Sequence, residues 1–497
     1  MSHAVHKIIK QLYSLIRVKL KKINEGREYM NKFVKNLFST GAVTILSQLL
    51  TFAISAYLAR VLSENDFGMI NTIQAILVYF TMITLFGFQT CGIKEVASNR
   101  KNSNEVVGNI TFIRLLVALG CFIVCIAVAI LEAKIKGDMF KVLLIIYGIS
   151  IFLTAFNINF YFSGIYDMQY NAVYNFIRSV VPFILTILFV KSSKDLVLVP
   201  IFYVVGLFIA VLYQIIIYYM KGNRFTINKK GIRNTVIIGI PFLLSGILSM
   251  INCNVDSIMI SSFRGYEEVA LYSAGYKIIF FLTNVTAIIF TPIFPLLSDL
   301  YNRDKKALKN LVDGTSKVII MIAMPVMIGG ILLSKDILVL LFGKEYYAGG
   351  SISFSILLVY IFILFMRELY AYSLNAWNHE KIYLKIIAIS ASVNFIFNLI
   401  LIPKFGINAA AMVTLCSELI TFFAMRLIFK REIGHSYIKY IAKALIPTIV
   451  MAIVVCTLKY VGINIIANIA ISAVVYLILI FITKYITKTD INLVLKI

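Results

Sequence analysis

The side chains best placed to do chemistry are two opposite charges set inside apolar sequence. Asp256 and Lys277 fall in the stretch Thr235–Leu297, which reads as two long apolar helices joined by the polar turn Arg264–Glu268. Holding an ionisable group at membrane depth costs at least a few kcal/mol, so such a group points to function. Each charge lies on a polar stripe at helical spacing. Ser245, Ser249, Asn252 and Asp256 form one, and Ser273, Lys277, Asn284 and Thr291 the other. Such stripes suit a wet cavity inside a bundle better than contact with lipid. There the ammonium of Lys277 can meet an anionic group, and the carboxyl of Asp256 can change charge or ligate an ion. The alternative is an Asp256–Lys277 pair that only aligns the two helices. Pro241, Pro292 and Pro295 interrupt both helices and allow kinks.

Other charges inside apolar runs extend the list. Lys277 sits roughly seven residues into its span, about 10 Å at 1.5 Å per residue, near the limit of snorkelling. Arg60, Arg114, Arg178 and Arg367 are further cavity cations. Each has a plainer alternative: an interfacial anchor for Arg60, snorkelling for Arg114 and Arg178, and a structural partner for Arg367. Arg367 and Glu368 are neighbours and cannot share one helix face. Glu418 joins Asp256 as a deeply placed acid and candidate coupling group. Ser47, Thr51, Ser55, Asn71, Gln74, Asn252 and Asn284 supply hydroxyl and amide groups for a cavity, although small polar residues also serve ordinary packing between membrane helices.

The elements that must hold these residues follow from composition. The chain has 497 residues, 60% of them hydrophobic, with a mean hydropathy of +0.91. Soluble domains do not have this balance. The net charge of +24 comes from basic residues in short loops between apolar runs, which is the mark of membrane topology and not of nucleic-acid binding. The six cysteines include no CxxC pair and the four histidines show no ligand spacing, so no disulfide framework, metal site or cofactor is expected. The basic N-terminus runs into a span with no A-x-A-like cleavage site, so no cleavable signal peptide is expected.

A bilayer span takes about 20 apolar residues, and about fourteen such runs follow one another between residues 37 and 486. The fold class is an all-α integral membrane protein. Segments that lie inside when the N-terminus is cytoplasmic are roughly threefold richer in Lys and Arg than those outside, so both termini are expected in the cytoplasm. Residues 1–33 form a basic amphipathic extension suited to an anionic leaflet, and Met30 is a candidate alternative start. Residues 34–220 form an N-lobe of six spans, 221–233 a basic linker and 234–430 a C-lobe of six spans. Residues 431–497 hold two appended spans and a cytoplasmic tail. The polar turns at Arg60–Asn71 and Ser261–Lys277 occupy corresponding places in the two lobes. That is the pattern of a repeat transporter with its substrate site between the repeats. No loop is long enough to house a glycosyltransferase or polymerase site, so the chain reads as a carrier and not an enzyme.

Several stretches carry a resemblance. NLFSTGAVTILSQLLTFAISAYLARVLSENDFGMINTIQ (Asn36–Gln74), GIKEVASNRKN (Gly92–Asn102), LYSAGYKI (Leu271–Ile278), LFGKEYYAGG (Leu341–Gly350) and IPKFGINAAAMVTLCSEL (Ile402–Leu419) resemble the Wzx-type O-antigen and capsule repeat-unit flippases. These belong to the multidrug/oligosaccharidyl-lipid/polysaccharide exporter superfamily. The resemblance runs over nearly the whole chain from about Asn31 and rests on the order and spacing of these stretches. It implies a V-shaped cavity between two pseudo-symmetric six-helix lobes, lined chiefly by spans one, two, seven and eight. It also implies alternating-access transfer of undecaprenyl-pyrophosphate-linked oligosaccharide across the bacterial inner membrane, driven by a proton or sodium gradient. The implied partners are that substrate, membrane lipids and other membrane proteins of polysaccharide assembly. A lipid II flippase or a drug exporter of the same superfamily is the alternative within transport.

Overall fold

The computed structural model describes residues 41, 43–483 and 485, and these are nearly all helical, with no strand among them. The basic arm 1–33, Thr40 and most of the tail lie outside the described residues, as do the side chains of Leu244–Cys253, Thr291 and Pro292. The first half holds α1 (Val43–Val61), α2 (Glu64–Leu85), α3 (Phe88–Ser98), α4 (Ser103–Lys136), α5 (Asp138–Ala155), α6 (Asn159–Gly164), α7 (Gln169–Phe189) and α8 (Leu198–Met220). The second holds α9 (Lys229–Phe263), α10 (Tyr266–Arg303), α11 (Lys305–Leu332), α12 (Ser334–Leu341), α13 (Glu345–Ala376) and α14 (Glu380–Ile433). The chain continues with α15 (Ile438–Tyr460) and α16 (Ile465–Ile482).

Among the described residues, eleven helical segments are long and apolar enough to cross a membrane, with α2 and α3 counted together and α5 and α6 likewise. α9 and α10, of 35 and 38 residues, hold side chains outside the described residues and are not counted among the eleven. α14 enters once as a helix of 54 residues, where the sequence suggested two spans. α14 breaks at Gly406, whose φ of 61° and ψ of −145° are not helical. A Cβ there would lie 2.4 Å from Glu268 Oε2, so only glycine lets the break dock under the α9–α10 turn. The Arg264 Nε–Glu268 Oε1 pair, 2.7 Å apart, closes over it.

Helix starts follow their sequences. Ser63 accepts from Asp66 N at the head of α2, with Glu64 and Asp66 in the first turn. Asp304 caps α11 through Lys306 N and Ala307 N. Both satisfy amides left over at a helix N-terminus, and the acids favour its positive dipole end.

Within the first half α4 packs on α5 and α7 on α8; within the second, α13 packs on α10, α11 and α14. α15 lies against α11 and carries α16. The halves meet where α2 runs beside α9 and α10. The approach is close enough that a Cβ on Gly68 would fall 1.8 Å from the Tyr266 carbonyl oxygen. At the ends that the charge pattern assigns to the outside, Tyr346 Oη donates to Ala59 O at 3.1 Å, and the Phe67 and Tyr346 rings meet edge to face at 6.0 Å.

Candidate functional site

The hairpin α9–α10 carries both central charges, but it does not pair them. Asp256 is 3% exposed, and its Oδ2 accepts from Tyr272 Oη at 2.5 Å while Oδ1 accepts from Ser257 N at 3.0 Å. Helical arithmetic explains the partner. Asp256 lies seven residues before the end of α9 and Tyr272 six residues into α10, whereas Lys277 lies eleven residues in. At 1.5 Å per residue Tyr272 is level with Asp256 and Lys277 is about 6 Å further along. The alternative of an aligning Asp256–Lys277 pair is therefore not what forms; the carboxylate takes a tyrosine hydrogen bond instead.

Lys277 is half-buried and makes no hydrogen bond or ion pair among the described residues. Its direction follows from its helix. Residues four apart share a face, and Phe281 meets Phe52 of α1 with ring centroids 6.0 Å apart. The Lys277 face of α10 is thus turned towards the first half. Ser273, one turn back on that face, is buried, and Asn284, two turns on, donates to Phe280 O at 2.8 Å.

The four arginines separate into distinct situations. Arg178 of α7 is exposed and has no acidic partner among the described residues; Nη2 donates to Tyr203 Oη at 3.3 Å. The Tyr203 ring lies 5.4 Å from that of Tyr147, whose hydroxyl accepts from Gln74 Nε2 at 3.2 Å. A polar seam thus runs from α2 through α5 and α8 to α7. Sequence reasoning named its ends, Gln74 and Arg178, but not the tyrosines, because tyrosine in an apolar helix carries no signal separating packing from hydrogen bonding.

Arg60 is exposed and donates to the carbonyls of Leu340 and Leu341 at the C-terminal end of α12, with Nε 3.1 Å from Leu341 O. A cation suits that end of a helix, so Arg60 ties the two halves together instead of standing free. Arg367 does not stand free either. Its Nε lies 2.7 Å from Glu418 Oε1 and its Nη1 lies 3.0 Å from Glu368 Oε1, all three side chains being at most 17% exposed. Both neighbours on α13 therefore point inward. This triad takes up the charges of two residues expected to act separately, Arg367 as a cavity cation and Glu418 as a coupling acid. Arg114 is also a correction: it is 0% exposed and presents no surface to a cavity.

The polar stripe is largely satisfied within its own helices. Thr51 donates to Ser47 O at 2.9 Å and Asn71 to Phe67 O at 2.7 Å. Ser55 is buried, and so is Ser47, whose Oγ has no partner among the described residues. Such back-bonding is what packed hydroxyl and amide groups do in membrane helices. The Asn252 side chain lies outside the described residues.

With this arrangement in hand, residues 33–301 match the family described as polysaccharide biosynthesis protein. The chain belongs to that family. Residues 241–400 also match the MatE family, which places this family member in the multidrug/oligosaccharidyl-lipid/polysaccharide exporter superfamily. A putative O-antigen transporter of Shigella dysenteriae is 23% identical over 385 residues, 75% of this chain and 93% of that protein. A membrane protein of Methanocaldococcus jannaschii is 25% identical over 480 residues, 82% of this chain and 90% of its own. Among solved structures, the lipid II flippase MurJ in an inward closed conformation shares the fold. Its TM-score is 0.74 at 16% identity, over 88% of this chain and 97% of that one.

Proposed function

We propose that this membrane flippase carries an undecaprenyl-pyrophosphate-linked oligosaccharide repeat unit from the cytoplasmic to the outer leaflet of a bacterial inner membrane. The observation that carries the reading is Lys277, a cation without an acidic partner among the described residues, on the face of α10 turned towards the first half. A pyrophosphate is at least dianionic and cannot cross hydrocarbon unaided. An ammonium at the seam between the halves lowers that barrier while the polyprenyl chain stays in lipid. Arg178, accessible and bonded only to a tyrosine hydroxyl, is the second cation for the same headgroup. Gln74 and Tyr203, both partly exposed, supply groups that suit sugars. The O-antigen assignment of the Shigella relative supports this substrate class.

Alternating access is the mechanism. The halves are joined at one end by Arg60, Ala59, Phe67 and Tyr346, and rocking exchanges this closure for closure at the other end. Both termini are cytoplasmic in this reading, from the distribution of Lys and Arg. Coupling to a proton or sodium gradient falls to Asp256, the buried carboxylate that Tyr272 holds and no cation neutralises among the described residues. Other membrane proteins of polysaccharide assembly are the expected partners.

The test is translocation in proteoliposomes of a labelled undecaprenyl-pyrophosphate oligosaccharide, with lipid II as comparison, under separately imposed proton and sodium gradients. The reading expects the oligosaccharide to move and lipid II to move more slowly. Movement of lipid II alone, or of neither, overturns it.

A further inference from the structure

Arg114 is the one fully buried guanidinium in the first half that the transport reading leaves unused. It projects from α4 and bonds two backbone carbonyls: Nε donates to Leu85 O at 3.3 Å, and Nη1 to Asn157 O at 2.7 Å. Neither acceptor sits in the middle of a helix. Leu85 is the last residue of α2, followed by Phe86 and Gly87 at φ of 51° and 69°, before α3 begins at Phe88. Asn157 lies in the break between the end of α5 at Ala155 and the start of α6 at Asn159. Carbonyls left over at a helix C-terminus form the negative end of its dipole and lack helical partners. One guanidinium serves two such ends, its planar fork of five donors holding both acceptors in a fixed geometry that a flexible ammonium lacks. The rings of Phe160 and Phe88, with centroids 5.1 and 6.0 Å away, flank the charge from the first residues of the next helical pieces.

The packing divides at the same level. Phe88 and Val96 of α3, Val107, Ile110 and Ile113 of α4, Phe160 and Phe162 of α6, and Tyr218 of α8 form a core of their own, separate from the large core of the molecule. Below the two breaks the first half is therefore a distinct block, and Arg114 stands at the joint.

We propose that Arg114 is a positioning residue that locks the α2–α3 and α5–α6 breaks to each other, so that α3 and α6 move as one body when the halves rock. This rests on the transport reading for its purpose but not for the coupling, which the free protein shows by itself. Removing the guanidinium frees two breaks, not one. The loss of one charge-assisted hydrogen bond at each allows roughly tenfold faster opening.

The experiment is hydrogen–deuterium exchange of the full chain in nanodiscs without substrate, comparing wild type with Arg114→Gln and Arg114→Lys. Peptides covering Phe88–Ser98 and Asn159–Gly164 report the two segments, and α15 and α16 serve as the reference. Arg114→Gln is expected to speed exchange about tenfold in both segments together, with α15 and α16 unchanged. Arg114→Lys, whose flexible ammonium lacks the rigid fork, is expected to protect the two segments less than arginine does. The proposal is overturned if the glutamine variant changes neither segment or only one. A rise that extends equally to α15 and α16 overturns it too, as does full protection of both segments by lysine. If exchange behaves as expected and translocation of the lipid-linked oligosaccharide is nonetheless untouched, the coupling stands and its place in transport falls.

Discussion

Replacing Lys277 by glutamine removes a charge while keeping most of the side-chain volume, and the consequence can be worked from its surroundings. No carboxylate within the described residues neutralises the ammonium, so the whole charge is available to a ligand. Two unit charges 4 Å apart attract by about 4 kcal/mol at an effective dielectric of 20 and about 1 kcal/mol in water. Lys277 is half-buried, so the true value lies between, and the variant is expected to lose roughly tenfold to a hundredfold in translocation of a pyrophosphate-linked oligosaccharide. Lys277→Arg keeps the charge and is expected to stay within about fivefold of wild type. The assay is initial rate in proteoliposomes at low and high ionic strength. Because the lost term is electrostatic, the wild-type rate should fall with salt more steeply than that of the glutamine variant. A glutamine variant that reconstitutes normally and transports within twofold of wild type at low salt refutes the assignment.

Four further outcomes follow from the same geometry. Tyr272→Phe leaves Asp256 without its hydroxyl donor in a buried site and is expected to cost about 1–3 kcal/mol, read as a lower melting temperature; Asp256→Asn is expected to abolish the response of transport to an imposed ion gradient. Glu418→Ala leaves Arg367 with Glu368 alone and is expected to destabilise by up to about 3–5 kcal/mol, whereas a triple apolar replacement of Arg367, Glu368 and Glu418 is expected to destabilise less. His435, buried between α14 and α15 with Nε2 2.8 Å from Ser316 Oγ, has its pKa pushed by burial from 6.5 down to about 4. Since the unfolded chain takes up this proton first, its contribution is complete above about pH 6.5 and is lost as pH falls towards 4. His435→Gln should therefore flatten the melting temperature over that window, and an unchanged slope would contradict it.

The sequence foreshadowed the hairpin and its turn, because long apolar runs and a glycine-marked turn are local signals; the juxtaposition of α2 with α9 and α10 was implied only by the family resemblance. Pairings were not legible. Asp256 and Lys277 lie on matching stripes, which left an aligning pair open as an alternative, yet the antiparallel register puts them about a turn apart, and Tyr272 is the residue level with the carboxylate. Arg367 and Glu418 lie 51 positions apart on different helices, so nothing local announces that one neutralises the other. Arg114 shows the same limit. Its spacing is that of any cation near a helix end, and its partners are backbone carbonyls at two distant breaks, which no residue type encodes.

The central claim is that Lys277 is reachable from water at the seam between the halves and receives an anionic headgroup there. Amine footprinting of the wild-type protein in proteoliposomes tests this most directly, using a water-soluble lysine reagent and reading modification of Lys277 by mass spectrometry. The account predicts modification that added undecaprenyl-pyrophosphate oligosaccharide suppresses and uncharged undecaprenol does not. A Lys277 that stays unmodified, or that is modified equally with and without the charged lipid, contradicts it.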